Sequence, residues 1–296
     1  MKPWILAARP KTLPAAAVPV LVGGALAAAA DTFRWLPWLV CLLFGLLIQI
    51  GTNYANDYYD FIKGADDHRR IGPNRAVASG WVSPKAMRNG MFATFALAFA
   101  VGCALVPFGG WWLVGVGVVS IVCGIAYTGG PYPLGYNGWG DVFVFVFFGW
   151  VATGITYYVQ AGTFAFPDLM GGYGTLLAGI VPGALSTNLL VVNNVRDEPL
   201  DREAGKRTLA VRFGRGFGVN QYIVLSLLAL VVPVIFAVVG KDWPCLLVLL
   251  AFPFAIRTIV LLEKAVGREG YERVLVRTAL QLLMVGGLFC LGLVLS

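Results

Sequence analysis

The chain has 296 residues, of which 58% are hydrophobic and only 12% are charged. A soluble globular domain carries about 25% charged residues, so this composition excludes an ordinary soluble protein and indicates an integral membrane protein. The net charge of +7 does not indicate nucleic-acid binding, because the basic residues lie in short loops between apolar segments, where they set membrane orientation. No nucleic-acid motif accompanies them.

In chain order, nine apolar segments are candidates to cross a bilayer, which takes roughly 20 residues per helix. We expect all nine to be helices, because an open strand in lipid leaves backbone groups without hydrogen-bond partners. The segments are residues 13–30, 36–55, 85–106, 111–127, 141–159, 173–194, 217–239, 243–262 and 276–295. The sequence therefore predicts an all-α polytopic membrane protein with nine transmembrane helices, forming a single domain over residues 1–296.

The basic residues predict how these helices are oriented. If the N-terminus is cytoplasmic, every Lys and Arg except Arg34 and Lys241 falls in an inner loop or at a helix end that flanks one. This asymmetry is expected, because positively charged loops remain on the cytoplasmic side. We therefore predict a cytoplasmic N-terminus and an external C-terminus.

Two of the inner loops are unusual, the ones that follow the second and sixth predicted helices. Each begins with Asn and Asp at the end of an apolar segment and then becomes basic, over residues 53–80 and 193–214. The same order of residue types in both suggests an internal pseudo-repeat of a few helices. These two stretches contain the candidate functional residues.

The first stretch places its polar residues on one side of a helix. Asn53, Asn56, Asp57 and Asp60 are spaced i, i+3, i+4 and i+7, and residues with this spacing share one helix face. This face lies at the cytoplasmic end of the second predicted helix.

The second stretch has the same character but a less regular predicted backbone. Asn193, Asp197 and Asp201 are spaced i, i+4 and i+8, which is again one face if the helix continues. Pro199 lies between the two aspartates and argues against a regular helix, because proline has no N–H to donate. We therefore expect Asp201 to lie past a kink or in the first turn after it.

Ionisable residues at the ends of membrane helices are functional candidates, because exposing them to lipid is costly. Paired carboxylates with nearby Asn oxygens suit Mg²⁺, which typically takes one or two carboxylates plus substrate phosphates. The basic residues after each acidic cluster supply donors for phosphate oxygens; they are Lys63, Arg69, Arg70, Arg75, Arg196, Arg202, Lys206 and Arg207. Together the stretches describe a diphosphate clamp. The alternative is solvated loop charges that pair with one another.

The two motifs resemble those of the membrane-bound aromatic prenyltransferase superfamily typified by 4-hydroxybenzoate polyprenyltransferase. Its Asn-Asp-x-x-Asp helix end is matched by residues 56–60, and its Asp-x-x-x-Asp motif by residues 197–201. The resemblance covers nearly the whole chain and agrees with the count of nine helices. One departure is Gly64, where the superfamily pattern places a third Asp, so Asp66 or Asp67 is expected to take that role.

Within the superfamily, the chain is most similar to the branch that prenylates 1,4-dihydroxy-2-naphthoate in menaquinone biosynthesis. The segments that carry this similarity are residues 63–66, 70–73, 127–131 and 140–145. The resemblance implies transfer of a polyprenyl group from polyprenyl diphosphate, with loss of CO₂ and diphosphate, giving demethylmenaquinone. It also implies a bacterial inner membrane enzyme with a cytoplasmic active site, and no obligate protein partner is evident.

The resemblance further implies roles for single residues. The expected Mg²⁺ ligands are Asp57, Asp60, Asp197 and Asp201, with Asp66 as a further candidate. The expected diphosphate contacts are Asn53, Asn56, Lys63, Arg70, Arg75, Asn193, Lys206 and Arg207. Tyr127 is the candidate to stabilise the allylic cation, because an aromatic face attracts positive charge.

Two other functions stay open at this point. The acceptor is undetermined among aromatic compounds such as 4-hydroxybenzoate, homogentisate or haem, because the acidic motifs do not describe the acceptor pocket. A transporter whose intramembrane Asp residues bind a coupling cation is the alternative from another class. Helices broken near the membrane midplane would favour a transporter, whereas here the Asp clusters lie at helix ends beside phosphate-binding residues.

Overall fold

The computed structural model describes residues 2–65, 72, 74–166 and 170–296. Within these ranges the chain forms helices and no β-strand, apart from one isolated bridge. The prediction of an all-α protein is therefore confirmed, and a helix lies at each of the nine apolar segments that the sequence predicted.

Twelve helices and two short 3₁₀ turns, Pro10–Thr12 and Met170–Gly172, make up the helical structure of the described residues. Two of the twelve helices are irregular, since α7 contains a π-helical turn over Val146–Val151 and α11 begins as a 3₁₀ helix over Trp243–Ala251. In chain order the elements are α1 (Lys2–Ala7), α2 (Pro14–Ala29), α3 (Trp35–Ile62), α4 (Pro84–Cys103), α5 (Val106–Gly109), α6 (Trp112–Ala126), α7 (Gly140–Ala161), α8 (Gly174–Glu203), α9 (Leu209–Phe213), α10 (Arg215–Val239), α11 (Trp243–Glu263) and α12 (Gly267–Leu295).

Among the described residues, seven helices are long and apolar enough to cross a membrane: α3, α4, α7, α8, α10, α11 and α12. The segments Lys2–Thr12 and Pro14–Ala29, bent by 52° relative to each other, add an eighth if they count as one span. The chain is therefore a multi-pass membrane protein. The predicted ninth crossing is α6, whose 15 residues extend about 22 Å at 1.5 Å per residue, less than the roughly 30 Å hydrocarbon core.

The two helices that carry the acidic motifs end in the same way. α3 is followed by Gly64 at a φ of 68°, and the next backbone N–H donates to the carbonyl of Asp60 at 2.9 Å. α8 is followed by Gly205 at a φ of 73°, and the next N–H donates to the carbonyl of Asp201, also at 2.9 Å. Glycine suits such a cap because it has no Cβ to clash at positive φ. Gly64, where the superfamily pattern places an Asp, is thus the residue that ends the helix.

The second acidic motif lies on a continuous helix, because α8 runs through Pro199 and ends at Glu203. The helix therefore does not end at Pro199, where the sequence had predicted an irregular backbone. Proline removes a single N–H from the helical ladder, and the loss of one hydrogen bond near the end of a 30-residue helix does not interrupt it. Asn193 and Asp197 consequently share one helix face with Asp201.

The core of the protein is built around α8, which packs against α2, α7, α10 and α12. The largest side chains that are fully buried in this core are Tyr157, Tyr222, Phe236 and Phe289. At 1.5 Å per residue, α8 is about 45 Å long. It therefore exceeds the roughly 30 Å hydrocarbon core, so part of the helix extends beyond it.

Glycines allow α7 and α8 to approach each other closely. A Cβ added to Gly183 on α8 would lie 2.9 Å from the carbonyl oxygen of Phe145 and 3.0 Å from the Cα of Gly149, both on α7. A Cβ on Gly179, one turn earlier, would lie 3.0 Å from the Gly149 carbonyl oxygen. Small residues at such spacing are typical of helix contacts in membranes. The contact fixes α7, and with it the loop that precedes α7, relative to α8.

We expect Gly183→Ala to lower the free energy of unfolding by about 1–3 kcal/mol, because the added methyl group meets backbone atoms that cannot move aside. Thermal unfolding of the purified protein in detergent measures this change. Gly287→Ala in α12 is the matched control, since nothing lies within 4 Å of its added Cβ and Ala favours a helix over Gly. A Gly183→Ala protein as stable as the control would contradict the close contact.

Candidate active site

The ends of α3 and α8 meet at one cavity of about 460 Å³. The polar residues that these two helices contribute to its wall are Asn56, Asp57, Asp60, Asn193, Asn194, Arg196, Asp197 and Asp201. Further cations in the wall are Arg9, Lys11, Arg75, Lys206 and Arg268. Carboxylates and cations together suit a phosphate group that binds with Mg²⁺. The sequence predicted that the two acidic motifs share a site, and the structure brings them together.

Asp57 holds the segment that follows α3. Its side chain is 1% exposed, and its two carboxylate oxygens accept the backbone N–H groups of Ala76 and Val77 at 3.0 Å each. These bonds fix the adjacent Arg75 at the cavity wall. Asp57 therefore shapes the site as well as lining it.

Asp60 is held by two side chains from other parts of the chain. Its Oδ2 accepts from Nη2 of Arg75 at 2.9 Å, and its Oδ1 accepts from the hydroxyl of Tyr136 at 2.6 Å. Asp60 is only 3% exposed, and a buried carboxylate needs such partners because desolvation of a charge is costly. The orientation of this carboxylate is thus fixed on both sides.

The aspartates of α8 are also paired with cations. Arg196 donates from Nε to Oδ1 of Asp197 at 2.7 Å and from Nη2 to Oδ2 at 2.6 Å, which is the bidentate geometry that favours arginine. Nζ of Lys206 lies 3.0 Å from Oδ1 of Asp201. Together with Arg75 on Asp60, three cations therefore pair directly with aspartates of the site.

A lysine from each motif approaches the ring of Tyr136. Nζ of Lys63 lies 4.9 Å from the ring centroid and Nζ of Lys206 lies 4.5 Å from it, within the range of cation–π attraction. Lys63 also donates to the carbonyl of Thr128 at 2.6 Å. Desolvation lowers the pKa of Lys63, an effect that the charge of Asp60 opposes. Lys63 is therefore in contact with the loop between α6 and α7, and it does not itself line the cavity.

The loop between α6 and α7 is bound to the first motif. The hydroxyl of Thr128 donates to Oδ1 of Asn56 at 2.9 Å. Tyr127, predicted as a catalytic residue, lies at the end of α6. A Cβ added to Gly135 or to Gly140 would lie 2.9 Å from the Tyr127 side chain. Glycines in this loop thus allow the backbone to wrap closely around the Tyr127 ring.

Arg9 was not predicted from the sequence. It lies at the break between α1 and α2 with a φ of 51°, an uncommon conformation for a residue other than glycine. Asn53 fixes this break by donating to the carbonyl of Ala8 at 2.9 Å and to the hydroxyl of Thr12 at 3.3 Å. Asn53, predicted as a diphosphate contact, thus holds the segment that brings Arg9 to the site. The Arg9–Pro10 pair before the first apolar segment is the sequence feature that could have predicted this break, because a residue before proline is disfavoured in a helix.

Three further residues were predicted to contact the diphosphate or the metal, namely Arg207, Arg70 and Asp66. The side chain of Arg207 is exposed and does not line the cavity, so we omit it from the diphosphate-binding set. Its backbone N–H instead donates to the carbonyl of Tyr136 at 2.6 Å. Arg70 and Asp66, predicted as diphosphate and metal contacts, lie outside the described residues. Tyr136 was itself missed, because its role depends on two motifs that only the fold brings together.

Two further cavities with mainly apolar walls adjoin the acidic one in series. A second cavity of about 170 Å³ shares Tyr127, Asn56 and Asn193 with the acidic cavity and extends along the aromatic rings of α7. A third cavity of about 100 Å³ shares Phe147 and Ile48 with the second and has a wall that is almost entirely apolar. Tyr127 thus lies where a charged chamber gives way to an apolar one.

The acidic cavity suits a metal ion that binds together with its substrate. In the part of the chain that the structure describes, no three Asp, Glu, His or Cys side chains converge on a single metal position. Mg²⁺ does not require such a cluster, because it typically binds one or two protein carboxylates and completes its shell with waters and phosphate oxygens. Aspartate pairs on two facing helix ends fit that requirement.

Residues 16–294 match the model of the UbiA prenyltransferase family. The chain belongs to this family. Among its relatives are 1,4-dihydroxy-2-naphthoate octaprenyltransferases of Mycobacterium tuberculosis, Haemophilus influenzae and Escherichia coli, which are 39%, 34% and 36% identical to it. The matches cover 86%, 100% and 99% of this chain and 84%, 97% and 95% of the respective relatives.

Solved UbiA structures have the same fold. The TM-score is 0.69 to the apo structure of a UbiA homologue from Aeropyrum pernix, at 11% identity, over 94% of this chain and 97% of that one. It is 0.63 to a UbiA homologue from Archaeoglobus fulgidus bound to GPP and Mg²⁺, at 14% identity, over 97% of this chain and 99% of that one. The helical arrangement described above is thus the UbiA fold.

We expect Asp57→Ala to destabilise the protein by about 1–3 kcal/mol, because it leaves two buried backbone N–H groups without acceptors. Thermal unfolding in detergent, without substrate or metal, measures the effect. Glu269→Ala, which removes an exposed carboxylate at the start of α12, is the control and is expected to unfold like the wild type. Equal stability of the two variants would show that Asp57 does not anchor the segment after α3.

Proposed function

We propose that this protein transfers a polyprenyl group from polyprenyl diphosphate to 1,4-dihydroxy-2-naphthoate. The observation that carries the proposal is the series of three adjoining cavities, the first charged and the other two mainly apolar. A polyprenyl diphosphate has the same two parts, a charged head and a hydrocarbon tail. The names of the bacterial relatives support the choice of acceptor.

The donor head binds in the acidic cavity. Arg75, Arg196 and Lys206 supply the donors for its phosphate oxygens, since all three line the wall. Asp57, Asp60, Asp197 and Asp201, which line the same cavity at the ends of α3 and α8, would hold Mg²⁺. When bound, the ion supplies positive charge that stabilises the leaving diphosphate. The donor tail lies in the two apolar cavities.

The reaction exchanges one carbon substituent for another. The C1–O bond of the donor breaks, and its electron pair leaves with the diphosphate. The ring carbon that bears the carboxylate forms a bond to C1 of the prenyl group. The bond from that carbon to the carboxylate then breaks, its electron pair returns to the ring, and CO₂ leaves.

Tyr127 is placed to act on the donor carbon at which this exchange occurs. It lines both the charged and the apolar cavity, and C1 of a donor that spans the two lies at their junction. A π face next to C1 stabilises the positive charge that develops there. The apolar walls around Phe143 and Phe147 exclude water, which would otherwise capture the allylic cation.

We expect purified protein to form the prenylated product from polyprenyl diphosphate, 1,4-dihydroxy-2-naphthoate and Mg²⁺, and to lose activity when EDTA removes the metal. Asp60→Ala and Asp197→Ala should each reduce kcat/KM by about 100-fold or more, because charge stabilisation of the leaving group is lost. Radiolabelled donor and chromatography of the product measure both effects. Glu269→Ala is the control and should retain activity.

Two results would count against this proposal in different ways. Product formation from a different aromatic acid, with none from the naphthoate, would show that the acceptor is wrong. Full activity of Asp60→Ala and Asp197→Ala would show that the acidic clamp is wrong.

We also propose that the protein lies in the bacterial cytoplasmic (inner) membrane, with the acidic cavity facing the cytoplasm. This places the N-terminus inside and, with α6 as a ninth crossing, the C-terminus outside. The position of nearly all Lys and Arg in the loops on the cavity side supports this orientation.

Alkaline phosphatase fused after Ser296 is expected to be active, because the enzyme folds only outside the cytoplasm. A fusion after Lys264, in the loop between α11 and α12, is the control and should be inactive. Phosphatase activity in intact cells, normalised to the amount of fusion protein, measures both. An inactive Ser296 fusion together with an active Lys264 fusion would invert the predicted sides of the C-terminal helices and contradict α6 as a ninth crossing.

A further inference from the structure

We propose that Tyr136 is the positioning residue that joins the two acidic motifs and orients Asp60 toward the bound metal and diphosphate. This inference rests on the proposed function, since it assigns a role within the same site. Tyr136 lies in the loop between α6 and α7 and lines the acidic cavity. It belongs to neither acidic motif.

The hydroxyl of Tyr136 helps to fix the orientation of the Asp60 carboxylate. It donates to Oδ1 at 2.6 Å, while Arg75 donates to Oδ2 at 2.9 Å. With each oxygen engaged by a different partner, the plane of the carboxylate cannot rotate freely. Groups that orient a metal ligand in this way typically change metal affinity by about 10–100-fold when they are removed.

The ring of Tyr136 brings together a cation from each motif. Lys63 follows α3 and Lys206 follows α8, and their ammonium groups lie 4.9 and 4.5 Å from the ring centroid. Two ammonium groups repel each other, whereas each is attracted to the π face. The ring therefore stabilises two positive charges that would otherwise repel each other, one from each motif.

The backbone of Tyr136 completes the connection. Its carbonyl accepts the N–H of Arg207 at 2.6 Å, and its own N–H donates to the carbonyl of Pro133 at 3.1 Å. The residue is thus bound to the α3 end through Asp60 and Lys63, and to the segment after α8 through its carbonyl and ring. A single residue consequently connects the two motifs through its side chain and its backbone.

The test distinguishes the role of the Tyr136 hydroxyl from that of its ring. Binding of farnesyl thiodiphosphate, an unreactive donor analogue, is measured by isothermal titration calorimetry over a range of Mg²⁺ concentrations. Tyr136→Phe keeps the ring and removes the hydroxyl, so the Mg²⁺ concentration for half-maximal binding should rise about tenfold. Its affinity for the analogue at saturating Mg²⁺ should equal that of the wild type.

Removal of the ring should have a second effect. Tyr136→Leu also loses both cation–π contacts, so its affinity for the analogue should fall by about tenfold even at saturating Mg²⁺. Tyr132 lies in the same loop with 57% of its surface exposed, and Tyr132→Phe and Tyr132→Leu are the matched controls. Both controls should bind the analogue and Mg²⁺ like the wild type. In the transfer assay, Tyr136→Phe should raise the Mg²⁺ concentration for half-maximal activity about tenfold, whereas Tyr132→Phe should not change it.

Tyr136→Phe decides the proposal, because it preserves side-chain volume and its thermal unfolding can be compared directly with that of the wild type. A folded Tyr136→Phe protein with wild-type Mg²⁺ dependence of analogue binding would overturn the positioning role. The binding measurement needs no acceptor and no turnover. A wild-type protein that binds the analogue but transfers no prenyl group would therefore contradict the proposed function and not the role of Tyr136.

Discussion

Carboxylates at the ends of membrane helices must be neutralised, because the cost of a bare charge beside an apolar interior is high. Three of the four site aspartates meet this requirement with a cation, namely Asp60 with Arg75, Asp197 with Arg196 and Asp201 with Lys206. Asp57 instead accepts two backbone N–H groups. The need to compensate buried charge thus places cations suited to phosphate next to carboxylates suited to a metal ion.

The same requirement explains the transition from a charged to an apolar cavity. The aspartates of the two motifs lie at the ends of α3 and α8, whereas the adjoining cavities are lined by apolar side chains such as Phe147 of α7 and Ile48 of α3. An amphipathic donor with its diphosphate among these aspartates would have its tail in the adjoining cavities. Its reacting carbon would then lie beside Tyr127, which lines both environments.

Much of the fold and the site could be predicted from the sequence, because hydrophobic segments and i, i+4 spacing are local properties. The acidic faces of α3 and α8 were found in this way. Pro199 misled the prediction, since a local rule about proline did not account for a long helix that tolerates one missing hydrogen bond. Arg9 and Tyr136 were missed for a different reason. Their roles arise from a helix break and from a loop between two distant motifs, and tertiary packing alone creates both.

The central claim is that a metal ion and a diphosphate bind together between the ends of α3 and α8. The most direct test is a crystal structure of the protein with Mn²⁺ in place of Mg²⁺ and a prenyl thiodiphosphate, with anomalous scattering used to locate the metal. We expect the anomalous peak between Asp60 and Asp201, in contact with the diphosphate, and the prenyl chain in the apolar cavities. A metal peak or a diphosphate outside this cavity would contradict the claim.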